Sequence, residues 1–174
     1  MVSMTLDKKS SVELFSTCID RYESWVRSNR KSNFRSALEC TSILSELNFR
    51  ALELPGPDPK SLKEIDKPKL EPSDIDSARQ AALQLPLRHY QKIFNPADTS
   101  DTEPVTGDLF DDIVDIYSEI VPPNKLFKNG FIDDALWHWN FGFRNHWGWH
   151  VSSAINTLNA YLMHQSVEFS EFQN

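Results

Sequence analysis

The stretch WHWNFGFRNHWGWH, residues 137–150, decides how this chain is read, because it holds four of the five tryptophans and three of the five histidines. A helix turns about 100° per residue. With Trp139 at zero, Ala135, Phe143, His146, His150, Ala154, Thr157 and Tyr161 fall within about 60° of it. Leu136, Trp147, Val151, Ile155, Leu158 and Leu162 extend the apolar sector. The spacing predicts one long helix from about Asp133 to His164, apolar over half its circumference and therefore packed between neighbours. Trp137, Trp139, Phe141, Phe143 and Trp147 are expected to anchor the core, since each such ring buries ~150–250 Å². Gly142 and Gly148 each cost about 1 kcal/mol inside a helix and are tolerable if another helix comes close there. Trp149 falls in the polar sector with Asn145, Ser152 and Asn156. It is expected to be at least partly exposed, covered either by the proline-rich Pro55–Pro72 connection or by a partner chain.

Working outward, Ser10 and Glu13 read as a capping box. Val12, Phe15, Ile19, Tyr22 and Val26 then recur at helical spacing to about Ser28. A second helix is predicted over 33–52, with Leu38, Thr41, Leu44 and Leu47 on one face. Five prolines between Pro55 and Pro72 make residues 55–72 a loop, with one turn of helix after Ser61. A third helix starts near Ser73, is interrupted or kinked at Pro86 and resumes through residues 87–94. Residues 95–106 form a second loop. The fourth helix is predicted from Thr106 to Val121, ended or bent by Pro122-Pro123. No alternating run is long enough for a sheet. The expected fold is all-α: a single domain, residues 1–174, with four to five main helices in one bundle and residues 1–9 disordered.

The composition, 40% hydrophobic and 25% charged, is that of a soluble globular chain. No apolar run approaches the ~20 residues of a membrane span, and no secretory signal opens the chain. Cys18 and Cys40 are too few for a disulfide framework and read as reduced, buried thiols in a cytoplasmic protein. A bridge between them would need their helices to face each other. P-loop, G-x-G-x-x-G, C-x-x-C and G-x-S-x-G motifs are absent from the sequence, so no cofactor is expected and an enzyme reading rests on histidines alone.

The net charge is −7, and residues 98–134 carry ten acids against two bases. Such a patch repels phosphate backbones and attracts basic partners. Nucleic-acid binding is disfavoured; its weaker foothold is the Arg27–Arg35 segment with Arg30 and Lys31. On helix four, Leu109, Phe110, Ile113, Ile116, Tyr117 and Ile120 form the apolar face. Asp108, Asp111, Asp112, Asp115 and Glu119 lie opposite, as a solvated face. His146 and His150, four apart, share a helical face and can chelate a metal. Asp111 and Asp115 could add carboxylates only by turning the acidic stripe inward, at a cost of ~1.5–3 kcal/mol for each large apolar side chain exposed. Asp112, at the border with Ile116, could reach a histidine directly. Without H-E-x-x-H, the plainer reading is a buried, metal-free, hydrogen-bonded histidine pair.

Residues 103–120 (EPVTGDLFDDIVDIYSEI), Ala135-Leu136 with Trp137, Trp139, Phe141 and Phe143, and His146-Trp147-Gly148-x-His150 together resemble an uncharacterised bacterial family, domain of unknown function 5063. Tyr90-x-x-x-Phe94-x-Pro96 and Leu52-x-Leu54-Pro55 match it too. The resemblance implies a small helical cytoplasmic protein without a known activity. It marks Asp112, Asp115, Tyr117, His146, Trp147, Gly148 and His150 as the polar-aromatic motif. Pro122-Pro123 and Trp149 depart from the family pattern. The first functional reading is a non-catalytic adaptor, inhibitor or immunity-type module that meets a basic protein through Asp108, Asp111, Glu119 and Trp149. The alternative is a metal-binding protein or metal-dependent enzyme using His146, His150 and a carboxylate such as Asp112.

Overall fold

Apolar side chains at helical spacing build the first two helices, α1 (Lys8–Arg27) and α2 (Asn33–Leu52). Val12, Phe15, Ile19, Tyr22 and Val26 of α1 and Thr41, Leu44 and Leu47 of α2 are buried. The computed structural model describes residues 8–28 and 33–165. Residues 1–7 therefore lie outside the described residues, as do Arg30 and Lys31 of the basic segment. Lys8 and Lys9 are helical, so the expected disorder does not extend to them. This start also places Ser10 inside the helix, so Ser10 is not its cap.

Residues 55–71 form neither helix nor strand, and the expected helical turn after Ser61 does not form. Its amides are claimed elsewhere. The Asp134 carboxylate accepts from Lys63 N at 3.1 Å and from Ile65 N at 3.0 Å, and Glu64 between them takes φ 56°. Burial opposes ionisation of Asp134, but these N–H donors outweigh it and hold its carboxyl below the usual range. Asn140 Nδ2 donates to Pro55 O at 3.1 Å, and Lys67 pairs with Glu119 at 2.9 Å.

Helix α3 (Pro72–Leu83) opens with proline at its first position, where a missing N–H costs nothing. Beyond Pro86 the helix does not resume. His89–Ile93 forms β1 and pairs antiparallel with β2, Pro104–Asp108, in the register Tyr90↔Gly107. This corrects both the predicted helical continuation and the expectation of no sheet. Pro86 ends the helical hydrogen bonding, and a distant segment then satisfies the backbone through a ladder, which local spacing does not reveal. Thr106 accordingly belongs to β2 and not to helix four.

Helix α4 (Leu109–Lys128) is capped by Asp108, whose side chain accepts from Phe110 N at 2.9 Å. It continues through Pro122 and Pro123, past the expected end at Val121. Each proline removes one helical donor. Both are buried, and the Trp139 indole donates to Ile120 O at 3.0 Å beside them. Packing here outweighs propensity. Helix α4 lies against α1, α3, α5 and α6, while α2 lies against α1 and α6.

The predicted long helix is three pieces: α5 (Ile132–Gly142), a π turn (Phe143–Trp147) and α6 (Gly148–His164). A π turn inserts one residue, which rotates everything after it by about 100°. Trp147, not His146, therefore faces the core with Trp139, followed by Val151, Ala154 and Leu158. Phe15 meets both indoles, edge-on to Trp139 at 5.1 Å and stacked on Trp147 at 6.1 Å. Trp137 and Phe141, expected in the core, are 43% and 56% exposed and stack on each other at 5.1 Å. The glycines serve this turn. A Cβ on Gly148 would lie 2.2 Å from the Phe143 carbonyl oxygen, and one on Gly142 would lie 2.8 Å from the Trp147 indole.

No disulfide joins Cys18 and Cys40, both of which are buried, and burial pushes the Cys18 thiol up to about 12. Among the described residues no helix is long and apolar enough to cross a membrane. Urea denaturation tests the packing. Trp139→Ala is expected to cost ~3–5 kcal/mol, and Asp111→Asn, at the surface, under ~0.5 kcal/mol. Gly148→Ala should destabilise even though alanine is the better helix former by about 1 kcal/mol; a stabilised variant would show that the π turn is dispensable.

Candidate functional site

Asp112 organises the site. It lies in the first turn of α4 and is buried, 3% exposed. A buried carboxylate needs donors, and two side chains supply them. Tyr90 of β1 donates its hydroxyl to Oδ2 at 2.7 Å, and His150 Nδ1 lies 2.7 Å from Oδ1. An ionised carboxylate only accepts, so His150 carries its proton on Nδ1 and turns Nε2 outward. The Tyr90 ring reaches Asp112 by crossing β2 at Gly107, where a Cβ would lie 2.3 Å from the ring. Burial first, then the Asp112 hydrogen bond, raises the Tyr90 hydroxyl well above its ordinary range.

His150 Nε2 points to Asp115 Oδ2 at 3.5 Å. His146 completes the group, with its ring 4.7 Å from that of His150 at an angle of 71°. One ligand atom from each of Asp115, His146 and His150 lies within 4.8 Å of the others. The Asp112 hydrogen bond raises the His150 pKa; burial opposes it, and the charges of Asp112 and Asp115 add to the rise. Burial raises the Asp115 carboxyl, against the lowering effect of the two histidines.

Two expectations change here. His146 is exposed, not buried, and His150 is half-buried, because the π turn rotates both out of the core. The carboxylate at ligand distance is Asp115 rather than Asp112, which instead holds His150 from behind. No inversion of α4 is needed, since the histidines come to the helix's border.

The other predicted residues are placed elsewhere. Tyr117 is fully buried, 6.3 Å from the Tyr22 ring, away from the histidines. Trp147 is core. Asp108 caps α4 and pairs with Arg88 at 3.6 Å, and Glu119 pairs with Lys67. Among the α4 acids Asp111 is exposed, Asp115 and Glu119 are partly exposed and Asp112 is buried, so the stripe is a solvated face only in part. Trp149 is 57% exposed. It borders a groove against β1, and the 55–72 connection packs on α5 instead.

Tyr90 was missed as a site residue because residues 87–94 read as helix. Its place in the Tyr90-x-x-x-Phe94-x-Pro96 match was the available signal. Lys92, which donates to Ser153 Oγ at 3.2 Å, had no signal of its own.

A mainly helical bundle with two histidines and a carboxylate gathered on its surface is the class of protein these features define. The chain belongs to the family described as "Domain of unknown function (DUF5063)", which it matches over residues 7–164. Among solved structures it is similar to the crystal structure of protein BF1032 from Bacteroides fragilis, a Northeast Structural Genomics Consortium target. The two are 17% identical, the match covers 91% of this chain and 94% of that one, and the TM-score is 0.69. That likeness shows the shared fold. No curated protein matches the chain.

The Asp112–His150 contact has a pH signature. A raised histidine pKa contributes stability that is fully present below the unfolded value and is lost as pH rises through the folded value. Imidazole NMR of the metal-free protein should show His150 titrating above an ordinary histidine. Asp112→Asn should lower that midpoint, and an unchanged midpoint would remove Asp112 as its cause.

Proposed function

We propose that the chain is a metal-binding protein, holding a divalent first-row transition ion through His146, His150 and Asp115. The observation that carries this reading is the convergence of their ligand atoms within 4.8 Å, with His150 already oriented by a buried carboxylate. Metal-bound histidines commonly donate their second ring N–H to a carboxylate, which fixes the tautomer and raises ligand basicity. Here Asp112 does so, and Tyr90 holds Asp112. Two imidazoles and one carboxylate suit zinc, nickel, cobalt or iron better than calcium or magnesium. Three protein ligands leave a position for water or another molecule.

The alternative of a non-catalytic module meeting a basic protein through an acidic surface draws less support. Asp108 and Glu119 are paired, and Asp112 is buried. What favours a partner is a different face: the exposed Trp137–Phe141 stack, beside a cavity of about 330 Å³ lined in part by Glu64 and Asp66. Capture of a basic protein by the wild type, lost in Trp137→Ser, would favour that reading.

Titration calorimetry of EDTA-treated protein with zinc, cobalt and nickel tests the metal site. One ion per chain is expected, with binding lost in His146→Ala and His150→Ala. Asp112→Asn should weaken affinity by about 10–100-fold. Absence of saturable binding, or equal binding by the histidine variants, would overturn the proposal.

A further inference from the structure

The groove between β1 and α6 is a second feature, and the metal reading does not use it. We infer that it binds a small anionic molecule with a planar apolar body. The groove encloses about 510 Å³, within the ~300–1,000 Å³ of small-molecule sites. Its walls carry two large exposed rings, Trp149 at 57% and Phe94 at 74%. Leaving two such rings in water forgoes the burial of a large apolar area, and their faces offer stacking surface to a flat ligand.

Charge selects the anion. Lys92 is the one cation among the residues lining the groove, and no carboxylate lines it. This stands out in a chain of net charge −7. The Lys92 ammonium is held in place, donating to Ser153 Oγ at 3.2 Å and lying 5.9 Å from the centre of the Tyr90 ring. A pre-positioned donor loses less freedom on binding than a free lysine. Ser153 and Asn156 add neutral hydrogen-bonding groups along α6. The Tyr90 hydroxyl is committed to Asp112, so the ammonium is the group that selects charge. His150 lies one turn before Ser153 on the same helix, so the groove opens beside the proposed metal ligands. The inference does not depend on a bound ion.

The probes are 1-naphthoate and its neutral counterpart 1-naphthamide, added to full-length EDTA-treated protein and followed by ¹H–¹⁵N NMR. Saturable shifts are expected at the Trp149 indole and at the Lys92 and Ser153 amides. Naphthoate should bind about tenfold tighter than the amide, as one charge-assisted contact provides. Lys92→Gln should abolish that preference while keeping naphthamide binding, and Trp149→Ala should weaken both probes. Equal affinities in the wild type would overturn the inference. So would a preference that survives Lys92→Gln, or shifts centred on Trp137 and Phe141. Self-association that masks the Trp149 signal would make the groove an interface between copies and would likewise overturn it. Because metal is absent throughout, failure here leaves the zinc titration unaffected, and the reverse holds.

Discussion

One extra residue between Gly142 and Gly148 determines which side chains this protein shows to water. In an uninterrupted helix, Trp139, His146 and His150 would share a face. The π turn moves the second half of the helix round by about a quarter turn or a little more. Trp147 then joins Trp139 against Phe15, and its indole donates to Trp139 O at 3.3 Å. The histidines leave the core for the border of α4. Core packing and the histidine cluster are thus consequences of one backbone irregularity. Two glycines make room for it, at the carbonyl of Phe143 and beside the indole of Trp147.

Two buried acids tie the irregular segments to the bundle. Asp134, in the first turn of α5, gathers the amides of the 55–72 connection. Asp112, in the first turn of α4, gathers Tyr90 from the hairpin and His150 from α6. Removing a carboxylate from water is costly unless donors replace the solvent. Each acid therefore specifies which segment must come to it. The acidic composition of residues 98–134 is in part this internal scaffolding, and so it overstates how much negative charge the surface displays.

The histidine cluster combines a held group with a free-standing one. His150 is fixed by Asp112 and half-buried, while His146 is exposed on the π turn. An ion arriving from solvent would meet an oriented imidazole and need to draw in a second. The hairpin contributes to both proposed functions: its tyrosine steadies the carboxylate behind His150, and its lysine sets the charge of the neighbouring groove. A two-stranded ribbon of this size is marginal alone. Here the Tyr90–Asp112 and Lys92–Ser153 contacts dock it on α4 and α6.

Helical spacing in the sequence was enough to define α1, α2 and the mainly helical fold, because amphipathic periodicity is a local property that burial enforces directly. The family followed from the Asp-Ile-Tyr and His-Trp-Gly-x-His motifs. Asp112, His146 and His150 were legible as a possible constellation, since four-residue spacing aligns side chains on one face. What stayed hidden depends on contacts between distant segments. Residues 87–94 are a strand because residues 104–108 lie beside them. Pro122 and Pro123 sit inside a helix because packing holds it together. Asp115 joins Asp112 at the histidines because a π turn, invisible to a fixed 100° step, changes the phase. Only the tertiary structure decides such cases, because the energy of a long-range hydrogen bond or buried ring is absent from any local window of sequence.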